Sequence, residues 1–282
     1  MNSSDRLSVS SYDTVAPLNE QHGIYLVRHR ETGRLFVKKI LCVYSAGIYR
    51  KFLRHPVAGM PRIISINEEN GRLTVIEEFI PGCTLNDIIE RSRSPSSDTL
   101  TVREIGSYMT GLCDILEQLH SLDPPVIHRD IKPSNILITE NGGVVLLDLN
   151  AARFYSGIPE RKSDTRLLGT HGYAAPEQYG FRESSPQTDL FSVGITLRET
   201  MDALPQEDHT FDPVIARCTQ MDPSKRYSSA GALKAAIRRR LFRHDPANFL
   251  RHFNFVSQIR FLFRPTLLQK YYATIAKMHR MD

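Results

Sequence analysis

A change of pattern at Pro81-Gly82 constrains the fold of this 282-residue chain more than any other sequence feature. Before it, five short strand-like runs are separated by turn-forming residues, as expected for short β-strands. A helix that follows Ser45 and ends at His55-Pro56 is expected between the third and fourth runs. The five runs are Tyr12–Leu18, Ile24–Arg30, Leu35–Leu41, Arg62–Asn67 and Arg72–Glu77. The first part of the chain is therefore predicted to form a small, β-rich lobe.

After Gly82 the apolar residues recur at helical spacing, most clearly in a long segment from Ile105 to Leu119. Two apolar runs, Asn135–Thr139 and Val144–Leu149, flank a turn of Glu, Asn and two Gly, which predicts a β-hairpin. Polar residues stand at both ends of this hairpin, where they could take part in chemistry. The sequence predicts an α+β fold in which a β-rich lobe precedes a larger, mostly α-helical one.

The net charge of +5 is concentrated at the C-terminal end of the chain. Residues 235–282 contain ten Lys and Arg against two Asp, so the remaining chain is slightly acidic. A nucleic-acid-binding domain would carry basic charge on the fold itself, and no interleaved aromatic and basic surface is evident. Nucleic-acid binding is therefore not favoured.

The cysteines and the apolar runs limit the cellular setting. Cys42, Cys83, Cys113 and Cys218 form no C-x-x-C pair, so neither a zinc site nor a disulfide framework is predicted, and four buried thiols are expected. No run of about 18 uncharged apolar residues occurs. The N-terminus also lacks the basic and apolar blocks of a secretory signal. These features predict a cytoplasmic location.

Three short motifs carry the most specific signal in the chain: His128–Asn135, Asp148–Asn150 and Gly169–Glu177. With these residues in this order and spacing, the chain resembles the eukaryotic-type, or Hanks-type, Ser/Thr protein kinases, of the compact kind found in bacteria. The resemblance covers about residues 12–240 and implies the two-lobed protein-kinase fold. It implies four parts, an N-terminal tail at 1–11, an N-lobe at 12–80, a C-lobe at 81–240 and a basic helical extension at 241–282.

Phosphate transfer from a nucleotide requires a carboxylate that orients and deprotonates the attacking hydroxyl, and hard oxygen ligands that hold Mg²⁺. The resemblance implies that Asp130 is the catalytic base and that Lys132 neutralises the transferring phosphate. It implies that Asn135 and Asp148 bind Mg²⁺ or Mn²⁺. ATP is the implied cofactor, and a protein that carries Ser or Thr is the implied substrate.

Other matched residues have structural roles in the family. Glu177 and Arg226 resemble a buried pair that supports the substrate-binding loop. Asp189 resembles the helix residue that anchors the catalytic loop.

The predicted nucleotide-binding end departs from the family pattern. The glycine-rich loop expected near Leu18–Leu26 contains only Gly23. The nucleotide-binding lysine is Lys38 or Lys39, because adjacent strand residues face opposite sides of a sheet. Val37 is a small residue two positions before Lys39, as the family has beside adenine, and this favours Lys39.

The hinge between the lobes aligns with Val75–Gly82. This alignment places Glu78 and Ile80 where backbone groups bond the adenine of ATP. Val37 and Leu137 are expected to form apolar walls for the base.

The helix that supplies a glutamate to the nucleotide-binding lysine in the family has none here, since no Asp or Glu occurs from Cys42 to Met60. Asn150 also replaces the Gly of the Asp-Phe-Gly motif. Because an unpaired ammonium in a partly desolvated site is costly, we hypothesise that Glu77, behind the nucleotide, pairs with Lys39. The alternative is that Glu77 faces solvent and Glu78 points inward.

These departures leave alternatives to an active protein kinase. A pseudokinase would bind a nucleotide or a partner without turnover. A small-molecule phosphotransferase of related fold is a second alternative, against which Lys132 and Gly169–Glu177 argue. The extension at 241–282 is predicted to form two amphipathic helices, which either pack on the second lobe or bind an anionic membrane surface or an acidic partner.

Overall fold

The computed structural model describes residues 11–93, 100–155, 169–179 and 183–244. Within these ranges an antiparallel sheet with one helix forms an N-terminal lobe, and a mostly helical C-terminal lobe follows. The predicted α+β, two-lobed architecture is therefore confirmed.

Five strands form the antiparallel sheet of the N-lobe in the order β1-β2-β3-β5-β4. They are β1 (Tyr12–Asn19), β2 (Ile24–His29), β3 (Leu35–Leu41), β4 (Ile63–Glu69) and β5 (Arg72–Glu78). All five predicted runs are strands, and their ends differ from the prediction by at most two residues.

The register of β3 and β5 decides which side chains enter the space below the sheet. Val37 is opposite Glu77, and Lys39 is opposite Val75. Because side chains two residues apart on a strand share a face, Lys39 and Glu77 lie on the same face as diagonal neighbours.

Helix α1 (Ala46–Arg54) packs on this sheet through its buried Ile48, Tyr49 and Phe52. It begins after Ser45 as predicted, but the Ser45 side chain makes no capping hydrogen bond. The Ser45 carbonyl instead accepts the N–H of Ile48 at 3.0 Å. The helix ends at Arg54 with His55 as its C-cap, because the proline after His55 cannot continue it.

Among the described residues, the C-lobe contains the long central helix α3 and four other helices. They are α2 (Leu85–Ser92), α3 (Val102–His120), α4 (Pro186–Met201), α5 (Asp212–Cys218) and α6 (Ala230–His244). A reciprocal capping box between Thr101 and Glu104 fixes the start of α3. Helix α6 packs closely on α3, since a Cβ at Gly106 would come within 2.6 Å of Leu241.

Helix α6 crosses residue 240, the predicted end of the C-lobe, and is described as far as His244. Residues 245–282, including most of the predicted amphipathic extension, lie outside the described residues.

Short strands place the polar motifs near the junction of the two lobes. They are β6 (Cys83–Thr84), β7 (Val126–Ile127), β8 (Ile136–Ile138), β9 (Val144–Leu146) and β10 (Arg153–Phe154). Strands β8 and β9 pair as the predicted hairpin, which is shorter than expected. His128–Asn135 precedes this hairpin and Asp148 follows it, so both motifs lie at the same end of the hairpin.

Two further expectations concern the thiols and the membrane. Cys83, Cys113 and Cys218 are buried and free, whereas Cys42 lies just past the end of β3 and is exposed. The expectation of four buried thiols is therefore wrong. Among the described helices, none has the length and apolar character needed to cross a bilayer.

Candidate active site

A cleft of about 630 Å³ lies between the two lobes. The N-lobe sheet forms one wall, and the β8–β9 hairpin with the loop before it forms the other. The predicted site residues that line the cleft are Val37, Lys39, Glu77, Glu78, Ile80, Lys132, Asn135, Leu137 and Asp148. Asp130 lies next to them, bonded to two of them, whereas Lys38 is not part of the cleft wall.

Asp130 is the centre of a hydrogen-bond network in the loop between β7 and β8. The Asn135 side-chain amide donates to the Asp130 carboxylate at 2.9 Å and to its carbonyl at 2.8 Å. Lys132 Nζ lies 2.9 Å from Asp130 Oδ2. Thr170 donates its hydroxyl at 2.7 Å and its backbone N–H at 3.1 Å to Oδ1. The three predicted residues of this loop are therefore brought together.

The charge of Asp130 is set by these neighbours. Burial raises the pKa of its carboxyl, but the hydrogen bonds from Lys132 and Thr170 and the positive charge of Lys132 outweigh burial and lower the pKa below its ordinary value. The carboxylate is therefore ionised at neutral pH and can accept a proton.

Thr170 is a functional candidate that the sequence reasoning missed. Its hydroxyl binds Asp130 and also accepts from Lys132 Nζ at 2.6 Å. The residue lies in the segment Gly169–Glu177, one of the three motifs that carry the family resemblance. The contact shows that the Asp130 carboxylate can accept a hydrogen bond from an alcohol.

Asp189 on α4 anchors the loop that carries Asp130, as predicted. Its two carboxylate oxygens accept the backbone N–H groups of Arg129 at 2.8 Å and His128 at 2.9 Å, and His120 Nε2 lies 2.8 Å away. Burial raises the pKa of Asp189, but the hydrogen bond and charge of His120 outweigh burial and lower it. These bonds hold Arg129 in the left-handed region at φ +69°, an unfavourable conformation that needs such support.

Asp148 stands two residues after β9, and its backbone also adopts a left-handed conformation, with φ +67°. The backbone N–H of Asn150 donates to Asp148 Oδ1 at 3.1 Å. The Asn150 side chain in turn accepts a hydrogen bond from Tyr49 on α1, at 2.6 Å. This second contact was not foreseen in the sequence.

Lys39 and Glu77 form a buried ion pair in which Nζ and Oε1 are 2.7 Å apart. Their side chains are only 7% and 10% exposed, whereas Glu78 is exposed. The predicted pairing is confirmed, and the inward-facing lysine is Lys39. Burial lowers the pKa of Lys39, but the Glu77 and Asp148 carboxylates raise it by more, so Lys39 keeps its charge.

The end of the cleft predicted to hold a base is apolar. Val37 and Leu137 line it from the two lobes, and Glu78, Phe79 and Ile80 form its edge. The N–H of Glu78 already donates to the Arg62 carbonyl at 2.8 Å, which leaves the Glu78 carbonyl as its backbone group for a base.

The loop between β1 and β2 is a short 3₁₀ turn at Glu20–His22, held by the Asn19 side chain, which accepts the His22 N–H at 3.2 Å. Gly23 adopts φ +65°, and a Cβ there would lie 2.8 Å from the Ile40 carbonyl oxygen. The single glycine of this loop is therefore required for packing on β3. His22 and Asn19 are the polar residues that this loop contributes to the cleft.

The predicted pair of Glu177 and Arg226 is also present. The guanidinium donates to both carboxylate oxygens, at 2.7 and 2.9 Å, and both side chains are buried. Thr188 donates to the same carboxylate at 2.8 Å. This charge-assisted bidentate contact ties the segment that contains Thr170 to the C-lobe core.

The chain is similar to several known proteins. The model of the protein kinase domain family matches residues 23–210. Serine/threonine-protein kinase D of Synechocystis is 30% identical over 203 residues, which cover 63% of this chain and 38% of that protein. A putative leucine-rich repeat receptor-like serine/threonine-protein kinase of Arabidopsis thaliana is 30% identical over 187 residues, which cover 64% of this chain and 20% of that protein.

PknA of Corynebacterium glutamicum is 34% identical over 128 residues, which cover 45% of this chain and 25% of that protein. The chain thus spans between a fifth and two fifths of the length of these curated relatives. Among solved structures, the kinase domain of Mycobacterium tuberculosis PknI superposes with a TM-score of 0.62 at 19% identity. The match covers 84% of this chain and 99% of that domain, and it supports the fold.

Proposed function

Since the chain belongs to the protein kinase family, we propose that it is an active enzyme that transfers the γ-phosphate of ATP to a Ser or Thr hydroxyl of a protein. The observation that carries this proposal is the network around Asp130. An ionised carboxylate, a lysine ammonium and a threonine hydroxyl are held together beside a cleft of nucleotide size. A chain that only bound a partner would have no physical need of this arrangement.

In the proposed reaction, Asp130 orients the substrate hydroxyl and accepts its proton. The hydroxyl oxygen forms a bond to the γ-phosphorus while the bond from that phosphorus to the bridging oxygen breaks, and ADP leaves. Lys132, already 2.9 Å from Asp130 Oδ2, stabilises the negative charge of the transferring group.

The donor set of Asp148 and Asn135 fits Mg²⁺ or Mn²⁺. Both offer hard oxygen atoms, and both line the cleft. The amide nitrogen of Asn135 is used in its two bonds to Asp130, so its amide oxygen is the atom suited to a metal. The ion would neutralise phosphate charge during transfer.

Lys39 is proposed to bind the phosphates of ATP, with Glu77 holding its ammonium in place. The apolar walls of Val37 and Leu137 would contact adenine, and backbone groups of Glu78 and Ile80 would bond its edge. This assignment does not need the glycines that are missing between β1 and β2.

The experiment is incubation of the purified chain with γ-labelled ATP, Mg²⁺ or Mn²⁺ and a generic basic protein. Phosphoserine or phosphothreonine should appear with wild type and be absent with Asp130→Asn. A folded wild-type chain that binds ATP but transfers no label to any substrate, including itself, would overturn the proposal and favour the pseudokinase.

The basic residues at the C-terminal end carry a second proposal, which concerns location. Arg239 and Arg243 are exposed on α6, and residues 245–282 carry further Lys and Arg. A cytoplasmic protein with such an end could bind an anionic membrane surface or an acidic partner electrostatically. Co-sedimentation with anionic but not neutral liposomes is the expected result for the membrane case, and equal binding to both would contradict it.

A further inference from the structure

A partly buried hydrogen bond joins α1 of the N-lobe to the segment that follows β9. Tyr49 donates its hydroxyl to Asn150 Oδ1 at 2.6 Å, across 101 positions of the chain. Tyr49 is 1% exposed. Burial raises the pKa of its hydroxyl, and the negative charges of Asp148 and Glu77 raise it further, so the group stays protonated and acts as the donor.

Asn150 connects this bond to Asp148. Its backbone N–H donates to Asp148 Oδ1 at 3.1 Å and so restricts the rotation of the carboxylate. Asp148 needs such support, because its backbone is in the left-handed region at φ +67°. The Tyr49 hydroxyl therefore holds Asn150 in place, and Asn150 in turn holds the Asp148 carboxylate.

Helix α1 is held in the position from which Tyr49 makes this bond. Arg50 pairs with Glu68 on β4 at 2.6 Å, which ties the helix to the sheet. Lys51 donates to the carbonyl of Asp123 and lies over the ring of Phe154, which ties the helix to the C-lobe.

The ion pair of Lys39 and Glu77 lies wholly on β3 and β5, without any residue of α1. In the family pattern a single helix glutamate would both pair with the lysine and link the helix to the site. Here Glu77 pairs with the lysine. Tyr49 instead links helix α1 to the site, through Asn150 beside the proposed metal ligand Asp148.

We propose that Tyr49 and Asn150 are positioning residues that hold Asp148 in the orientation that binds Mg²⁺ with ATP. The missing helix glutamate and the Asn that replaces the Asp-Phe-Gly glycine then belong together, because the bond between Tyr49 and Asn150 takes over the link that the glutamate would make. A glycine at position 150 would have no side-chain oxygen to accept the hydrogen bond from the Tyr49 hydroxyl. The inference rests on the proposed use of Mg²⁺ and ATP.

The test compares Tyr49→Phe with Tyr12→Phe. Tyr12 is buried in a separate apolar cluster of the N-lobe, and its hydroxyl has no hydrogen-bond partner among the residues described. Each variant loses one buried hydroxyl, but only Tyr49→Phe also loses a hydrogen bond. Two quantities are measured, the Mg²⁺ concentration for half-maximal activity at saturating ATP and the tightening of ATP binding by Mg²⁺ in calorimetry.

Tyr49→Phe should raise the required Mg²⁺ concentration about three- to tenfold, the scale of one lost hydrogen bond. The KM for ATP at saturating Mg²⁺ should change less than about twofold, and Tyr12→Phe should change neither quantity. Asn150→Ala should shift the Mg²⁺ dependence similarly, and adding Tyr49→Phe to it should have little further effect, because both changes break the same bond.

A Tyr49→Phe variant with the Mg²⁺ dependence of Tyr12→Phe would overturn the inference. So would a loss of kcat at unchanged Mg²⁺ dependence, which would indicate a purely structural role. If wild type transferred no phosphate, the proposed function would fail, but the calorimetric comparison would still decide the role of Tyr49.

Discussion

Replacement of Glu77 by glutamine is the perturbation that probes the rebuilt lysine site most sharply. The substitution keeps the shape of the side chain and removes its charge. It leaves the Lys39 ammonium, whose side chain is 7% exposed, without its partner at 2.7 Å. Removing one member of a buried ion pair costs about 3–5 kcal/mol, because the remaining charge is left uncompensated.

The expected cost here is slightly smaller. The glutamine oxygen can still accept a hydrogen bond from Lys39, and the Asp148 carboxylate also stabilises the ammonium. We therefore expect the variant to lose about 2–4 kcal/mol of transition-state stabilisation. This loss corresponds to a fall of roughly 30- to 1,000-fold in kcat/KM for ATP.

The assay is steady-state phosphate transfer at varied ATP, with Glu78→Gln as the matched control. Glu78 is the next residue on the same strand and is exposed, so its loss of charge should change kcat/KM less than about twofold. A melting experiment adds a second measure. Glu77→Gln alone should melt below the double variant Lys39→Met/Glu77→Gln, which has no buried unpaired charge. Equal activity of Glu77→Gln and Glu78→Gln would refute the reasoning.

Three further predictions concern other parts of the structure. Asp148→Asn should abolish phosphate transfer while leaving the fold intact, because the side chain lies in the cleft; a labelled-ATP assay that found most activity retained would show the metal assignment to be wrong. Thr170→Val removes a bond that lowers the pKa of Asp130. A base acts only when ionised, so the acid limb of the profile of kcat/KM against pH should move to higher pH, and an unmoved limb would count against this role. Arg226→Met should lower the free energy of unfolding in urea by about 3–5 kcal/mol, because it leaves Glu177 buried and unpaired; a loss below about 1 kcal/mol would contradict this.

Much of the lysine site could be predicted from local pattern together with the family resemblance. Alternation along β3 allowed only one of Lys38 and Lys39 to face the cleft, and the small Val37, which the resemblance places beside adenine, favoured Lys39. The absence of acidic residues from Cys42 to Met60 then left a strand carboxylate as the available partner. The choice of Glu77 over Glu78 depended on the register of β5 against β3, which a one-residue slip would have reversed.

The contacts of Tyr49 and Thr170 could not be read in the same way. Tyr49 and Asn150 are 101 positions apart, and a tyrosine at an apolar helix position looks like a core residue. Thr170 bonds Asp130 across 40 positions of the chain. The segment that carries Thr170 is held in place by the pairing of Glu177 with Arg226. Such contacts depend on how helices and strands pack against each other, and the local periodicity of the sequence does not predict that packing.

The central claim is that the cleft binds Mg²⁺ and ATP through Lys39, paired with Glu77, and through Asp148 and Asn135. The most direct test is a crystal structure of the chain with a non-hydrolysable ATP analogue and Mg²⁺. The account predicts a phosphate oxygen within about 3.2 Å of Lys39 Nζ, an intact pair with Glu77, and the metal on oxygen atoms of Asp148 and Asn135. A nucleotide bound with Lys39 turned away from its phosphates, or a metal held by other residues, would contradict it.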